Sequence, residues 1–160
     1  MNDNLGKEAE QKIRNWLDRP EAGYSFDRLY DQMTGFYMTS RNICDFILYK
    51  HPNMYYIESK ATWHDRFDFT IIPDHQINGL LNKSKINGCY GWVVVLFATY
   101  KRAFKFEIQD IVKSMESGKK SVNITKIDKW MIPYKEIQTV PNSHKKLLDY
   151  APEFDYLINI

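Results

Sequence analysis

Residues 43–60 read Ile43-Cys44-Asp45-Phe46-Ile47-Leu48-Tyr49-Lys50-His51-Pro52-Asn53-Met54-Tyr55-Tyr56-Ile57-Glu58-Ser59-Lys60. Two runs rich in aromatic and β-branched residues, Ile43–Tyr49 and Met54–Ser59, flank the turn-like Lys50-His51-Pro52-Asn53. The pattern predicts a β-hairpin with four linking residues. Residues two apart on a strand project to one face, so Glu58 and Lys60 point together, and the facing strand can bring Asp45 opposite Glu58. Two carboxylates converging beside a lysine repel each other unless a cation sits between them. Oxygen ligands of this kind favour a hard ion such as Mg²⁺. Such an ion binds a phosphate oxygen and lowers the pKa of a water, while the Lys60 ammonium positions that water or stabilises charge on the phosphorus. That chemistry is phosphodiester hydrolysis.

An E-x-K triplet on a strand is also the ordinary pattern of an exposed ion pair, worth under about 1 kcal/mol. Three features weigh against that plainer reading. Asp45 lies among Ile43, Phe46 and Ile47, and Glu58 follows Tyr55-Tyr56-Ile57, settings in which a carboxylate is costly unless paired or bound to metal. Glu10 can join them from a first helix. Asp74-His75-Gln76 opens a second helix soon after the hairpin, where backbone donors can face a phosphate.

Working outward, Leu5, Ala9, Ile13, Trp16 and Leu17 mark one face of a helix that Asn4 can cap and Pro20 must stop. Residues 24–34 admit two readings: Phe26, Leu29, Tyr30 and Met33 fit helical spacing, while their aromatic content and Gly35 suit a strand and turn. The second helix is expected from Asp74, as its N-cap, to about Asn87-Gly88. Trp92–Ala98 is apolar throughout, as in a central strand covered on both faces. A strand over Phe104–Ile108 and a helix over Ile108–Met115, stopped at Gly118, follow. The order α-β-β-β-α-β-β-α, with irregular aromatic-rich structure after it, describes an α/β protein with a mixed β-sheet flanked by α-helices.

At 160 residues, 44% of them hydrophobic, the chain has the length of one domain and the means to fill a core. Its longest apolar run is the seven residues Trp92–Ala98, so no membrane association is expected. The polar start MNDNLGKEAEQ lacks the features of a signal peptide. Two cysteines, Cys44 and Cys89, suit a reducing cytoplasm and supply no disulfide framework. The net charge of +2 says little, but from His75 to Phe106 there are five bases (Lys83, Lys85, Lys101, Arg102, Lys105) and no acid. A basic stretch beside an acidic centre suits a protein that holds phosphates; ordinary solvated lysines explain the same pattern. With no P-loop, GxGxxG or serine-nucleophile motif, no nucleotide cofactor is expected.

The pattern D-x₁₂-E-x-K between two helices resembles the PD-(D/E)xK, restriction-endonuclease-like superfamily. More narrowly, the chain resembles RecU-type Holliday junction resolvases, including phage-borne versions. The resemblance runs through Gly6-x-x-x-Glu10, Cys44-Asp45-Phe46, Tyr56-Ile57-Glu58-Ser59-Lys60-Ala61 and Asp74-His75-Gln76. It continues through Trp92–Ala98, Gly118-Lys119-Lys120-Ser121 and the closing Tyr150–Leu157. It implies a single nuclease domain over 1–160, with Asp45, Glu58 and Gln76 as metal ligands, Lys60 as the catalytic lysine and Glu10 as a supporting acid. It also implies Mg²⁺ as cofactor, with Mn²⁺ able to substitute. Branched DNA, the four-way junction, is then the partner, and a homodimer nicks two strands symmetrically across it.

Two departures stand out. Ile43 occupies a position where the family often has threonine, and residues 24–40 leave room for only a reduced form of the stalk that enters the junction centre. Arg41, Lys83, Lys85, Lys101 and Arg102 are the candidates for DNA phosphate contacts. Phe36 and Tyr37 are candidates for base stacking or for the core. His75 is read as structural, and His51 and His64 lack metal-ligand spacing. The alternatives are another structure- or sequence-specific DNA endonuclease of the same fold, and a DNA-binding protein that does not cut.

Overall fold

The computed structural model describes residues 3–30, 32–34, 37–141 and 149–157, with residues 3, 32–34 and 37–40 described by backbone only. Among the described residues, three α-helices, α1 (Asp3–Leu17), α2 (Asp74–Ser84) and α3 (Ile108–Glu116), accompany twelve strands. The strands are β1 (Ser25–Arg28), β2 (Gln32–Thr34), β3 (Tyr37–Ser40), β4 (Phe46–Lys50), β5 (Asn53–Thr62) and β6 (Arg66–Asp68). They continue as β7 (Cys89–Phe97), β8 (Arg102–Glu107), β9 (Ser121–Asn123), β10 (Lys135–Glu136), β11 (Thr139–Val140) and β12 (Asp149–Tyr150).

Six strands form one mixed sheet in the order β1-β4-β5-β7-β8-β10, with β5 and β7 parallel and the other pairings antiparallel. The parallel step needs a crossover, and α2 supplies it. Helices on both faces explain why β7 is buried from Gly91 to Phe97 and carries an unbroken apolar run. On one face, Leu5, Ala9, Ile13, Trp16 and Leu17 of α1 pack with Phe46, Leu48, Tyr55, Ile57 and the C-terminal Tyr150 and Phe154. On the other, Leu80 of α2 and Ile108 and Ile111 of α3 cover Val93, Val95, Phe104, Phe106 and Trp130. The sheet therefore divides two cores, and adjacent residues of β7 serve opposite ones.

Several boundaries differ from the sequence expectations. α1 already includes Asp3, so Asn4 stands inside the helix instead of capping it. Pro73 is the N-cap of α2 and Asp74 its first helical residue; Pro73 has no N–H to satisfy, and its carbonyl accepts from Gln76 and Ile77. α2 ends at Ser84, three residues early, and β8 begins at Arg102. Of the segment with two readings, 25–28 and 32–34 form strands: β1 finds a partner in β4, with Phe26 opposite Leu48, and β2 in β3. The segment expected as a reduced stalk becomes β1 and a two-stranded ribbon of β2 and β3. Phe36 lies outside the described residues, as does the side chain of Tyr37.

Candidate active site

The β4–β5 hairpin pairs Phe46 with Ile57, and the same register carried one step back sets Asp45 across from Glu58. Backbone bonds hold it there: Asp45 N donates to Ile57 O at 3.0 Å. Ser59 N donates to Asp45 Oδ2 at 2.9 Å. Tyr56, Glu58 and Lys60 alternate with Tyr55 and Ile57, which belong to the core under α1, so the acid and the lysine share the opposite face with α2. There Lys60 Nζ donates to Glu58 Oε1 at 2.6 Å and to Gln76 Oε1 at 3.1 Å. Gln76, in the first turn of α2, reaches this pair because the helix runs very close to the strand entry. A Cβ on Gly79 would stand 2.2 Å from Ile43 Cγ2 and 2.7 Å from its Cβ. Ile43, the residue departing from the family pattern, thus packs against the bare face of α2.

Arg28 belongs to the same constellation, and the sequence reading missed it. At the end of β1 its Nη2 donates to Glu10 Oε2 at 2.7 Å, and its Nη1 donates to Asp45 Oδ1 at 3.2 Å. Glu10, from the helix on the other face, is in this way tied to Asp45 through one guanidinium. A cavity of about 310 Å³ opens beside these groups, lined by Arg28, Arg41, Asn42, Asp45, His75 and Gln76. The sequence signal that could have found Arg28 is the Phe26-x-Arg28 alternation of a strand, which was hidden while 24–34 had two readings.

A family model for RecU, recombination protein U, matches residues 23–155. The chain belongs to the RecU family. No curated protein matches it. Among solved structures it is similar to Hjc of Archaeoglobus fulgidus, a Holliday junction resolvase from an archaeal hyperthermophile. The identity is 15% and the TM-score 0.50, over 75% of this chain and 89% of that one. At that identity the likeness is one of fold, and it agrees with the mixed sheet and flanking helices. As a RecU protein the chain is a nuclease of the Holliday junction resolvase kind, a DNA-binding enzyme of recombination.

The charges of this RecU site are strongly perturbed. Burial pushes the Glu58 carboxyl up from 4.5 to about 7, and the nearby Asp45 charge pushes the same way, against the opposing pull of Lys60 and Gln76. Burial, then the Asp45 charge, also raises Glu10, while Arg28 works against them. Burial holds the Cys44 thiol at about 12, so this cysteine is a core residue and no nucleophile. One observation tests whether a divalent ion suits the site. Glu58 Oε2 is buried without a hydrogen-bond partner, beside a second carboxylate. An orphaned carboxylate oxygen is costly, and a cation relieves both the desolvation and the repulsion. The donors are hard oxygens, as Mg²⁺ or Mn²⁺ requires. Among the described residues no group of three or more His, Cys, Asp or Glu is placed to hold a metal. The candidate set is therefore two carboxylates and the Gln76 amide oxygen.

The remaining predicted residues of this RecU chain scatter more widely. Arg41 is exposed on the cavity rim, with His75 half-buried opposite. Lys83 lies over the Tyr56 ring at 5.4 Å, and Lys85 Nζ donates to Asn82 Oδ1 at 3.4 Å. Lys101 sits in the β7–β8 turn. Arg102 lies two strands from β5, its guanidinium bound twice to Glu136, at 2.6 and 2.8 Å. His51 Nδ1 bonds the Tyr49 hydroxyl at 3.0 Å, and the backbone N–H of His64 donates to Thr62 Oγ1. Neither histidine joins the carboxylates. Among the described residues, no helix is long and apolar enough to cross a membrane.

Proposed function

We propose that the chain is a Mg²⁺-dependent homodimeric resolvase that cuts four-way DNA junctions by paired, symmetric nicks. The observation that carries the catalytic part is the buried, unpartnered Oε2 of Glu58, a residue close enough to Asp45 to feel its charge and bonded to a lysine that also reaches Gln76. Asp45, Glu58 and Gln76 would hold the ion. When bound, it supplies Lewis acidity toward a phosphate oxygen and lowers the pKa of water at the site.

The chain's own residues do the rest. Lys60, fixed between Glu58 and Gln76, presents an ammonium that orients the attacking water and donates to the charge growing on the phosphoryl oxygens. Burial of Glu58 dries the floor of the site and strengthens those interactions. Glu10 anchors Arg28 against the main-chain carbonyl of Asp45, and Arg41 at the rim takes a backbone phosphate without reading sequence. Residues 1–160 act as one nuclease domain in the cytoplasm, and the two-fold symmetry of a dimer matches that of the junction.

A labelled mobile four-way junction is incubated beside a matched linear duplex, with Mg²⁺ or EDTA, for wild type and Asp45→Asn. Paired Mg²⁺-dependent nicks in the junction alone, lost in the variant, are the expected result. Equal cutting of both substrates would remove the junction preference and leave a general endonuclease. Tight junction binding without cutting under any metal would identify a DNA-binding protein.

A further inference from the structure

Arg28 is held more elaborately than a surface ion pair requires. Its Nη1 donates to Leu29 O at 2.8 Å, to Asp45 O at 3.0 Å and to Asp45 Oδ1 at 3.2 Å. Its Nη2 donates to Glu10 Oε2 at 2.7 Å. The guanidinium also lies 5.2 Å from the ring centres of both Tyr30 and Phe46. One Nη carries two hydrogens, so three acceptors around Nη1 cannot all be served well. The longest of the three contacts, the one to the Asp45 carboxylate, is the weakest. Arg28 is thus fixed by main-chain oxygens, Glu10 and two aromatic faces, and touches the candidate metal ligand through its most expendable bond.

We propose that Arg28 is the resident counter-ion of the metal-free site, and that a divalent ion displaces it from the Asp45 carboxylate while it stays anchored to Glu10 and the main chain. The proposal rests on the reading of Asp45 as a metal ligand. Three acids, Glu10, Asp45 and Glu58, come together here; Lys60 bonds Glu58 and acts on Glu10 only through its field, whereas Arg28 pairs directly with both Glu10 and Asp45. A second positive charge is needed to let Glu10 and Asp45 approach before a metal arrives. The same charge then competes with the incoming ion. Glu10 accordingly acts as the anchor of Arg28 and not as a ligand. Arg28 is a positioning residue that sets how readily the site loads.

Mn²⁺ binding to the full chain, without DNA, is measured by isothermal titration for wild type, Arg28→Met, Arg28→Lys and Asp45→Asn. Removing a unit charge a few ångströms from a divalent ion is expected to tighten Mn²⁺ binding by about tenfold in Arg28→Met, even with strong solvent screening. Arg28→Lys, which keeps the charge, stays near wild type. Equal or weaker binding in Arg28→Met overturns the proposal, since a simple strut would leave affinity unchanged or lower it. Asp45→Asn separates the two readings: loss of Mn²⁺ binding upholds the metal site whatever Arg28 does, and unchanged binding removes both. Should Arg28→Met fail to fold, side-chain NMR of the wild type decides. Mg²⁺ is expected to shift the Arg28 guanidinium resonances, and resonances unmoved at saturation overturn the displacement.

Discussion

Two strands of the same sheet each carry an acid and a lysine two residues apart, and they differ in which member is hidden. On β5, Lys60 Nζ meets Glu58 Oε1 at 2.6 Å; the acid side chain is 3% exposed and the lysine 18%. On β8, Lys105 Nζ meets Glu107 Oε1 at 2.7 Å; here the lysine is 2% exposed and the acid 15%. Glu107 Oε1 also accepts from Trp92 Nε1 at 3.0 Å, and Lys105 lies over the Trp92 ring. The β8 pair is closed on itself. The β5 pair leaves one buried oxygen without a partner, faces a second carboxylate and turns its lysine outward. The triplet alone therefore carries no chemistry; the unsatisfied oxygen and the converging charges around it do.

That contrast breaks first under substitution. Asp45→Asn or Glu58→Gln is expected to slow single-turnover junction cleavage by about a thousandfold, roughly 4 kcal/mol of barrier. The double change Lys105→Met with Glu107→Gln keeps an acceptor for Trp92 and removes the ion pair. It should leave the rate within about twofold, because a buried pair replaced as a unit is nearly neutral. Comparable losses at both places would make the two triplets equivalent and dissolve the distinction.

The unsatisfied state of Glu58 also has a pH signature that sharpens the comparison. Its carboxyl holds a proton more tightly in the folded chain, near 7, than at its ordinary 4.5. Between those values the native state binds the extra proton. Metal-free stability from Glu58 therefore falls as pH rises from 4.5 through 7 and is flat above. The full shift corresponds to about 3 kcal/mol. Urea unfolding in EDTA at pH 5 and pH 8 should show that decline in wild type and a smaller one in Glu58→Gln. Saturating Mg²⁺ should abolish it by stabilising the charged form.

What brings Gln76 to one triplet and nothing comparable to the other is the approach of α2 to Ile43. Gly79→Ala would put a Cβ within 2.7 Å of Ile43 Cβ, an atom too close to the main chain to swing away. Pushing the helix off should cost about 2 kcal/mol in calorimetric unfolding. It should slow cleavage by about tenfold or more, since Gln76 and Asp45 lose their register. A stable, fully active variant would show that the close approach does not set the site.

The hairpin was legible because its signals are local. Alternation, a turn-like break and the D-x₁₂-E spacing fix which residues face each other, and the structure does bring Asp45, Glu58, Lys60 and Gln76 together. Helix α1 was legible for the same reason, through Leu5, Ala9, Ile13, Trp16 and Leu17 on one side. Arg28 was not, since its segment satisfies two periodicities and only pairing with β4 chooses between them. The Gly79–Ile43 approach was invisible, because a glycine inside a helix reads as a weakness until the opposing side chain is known. Lys105 shows the limit of charge patterning. It counts among the five bases of the acid-free stretch, yet it is buried against Trp92 and offers nothing to a phosphate.

The bases flanking the two triplets separate in the same way, by a smaller margin. Lys83 lies seven residues beyond Gln76, on the same side of α2, above Tyr56 in the row that continues to Glu58 and Lys60. Lys85 follows at the end of the helix, exposed and weakly held by Asn82. Arg102, on the strand of the closed pair, already commits Nε and Nη2, one edge of its guanidinium, to Glu136. A cation that neutralises a phosphate releases about one counter-ion from DNA. Junction binding in EDTA, followed by anisotropy over a range of salt, should therefore lose about one unit of log–log slope in Lys85→Ala and in Lys83→Ala. Arg102→Ala should leave the slope unchanged and alter stability by less than about 1 kcal/mol, as for other exposed pairs. A lower slope for Arg102→Ala would carry the DNA path across β8, past the closed pair, and assign that edge of the sheet to the substrate.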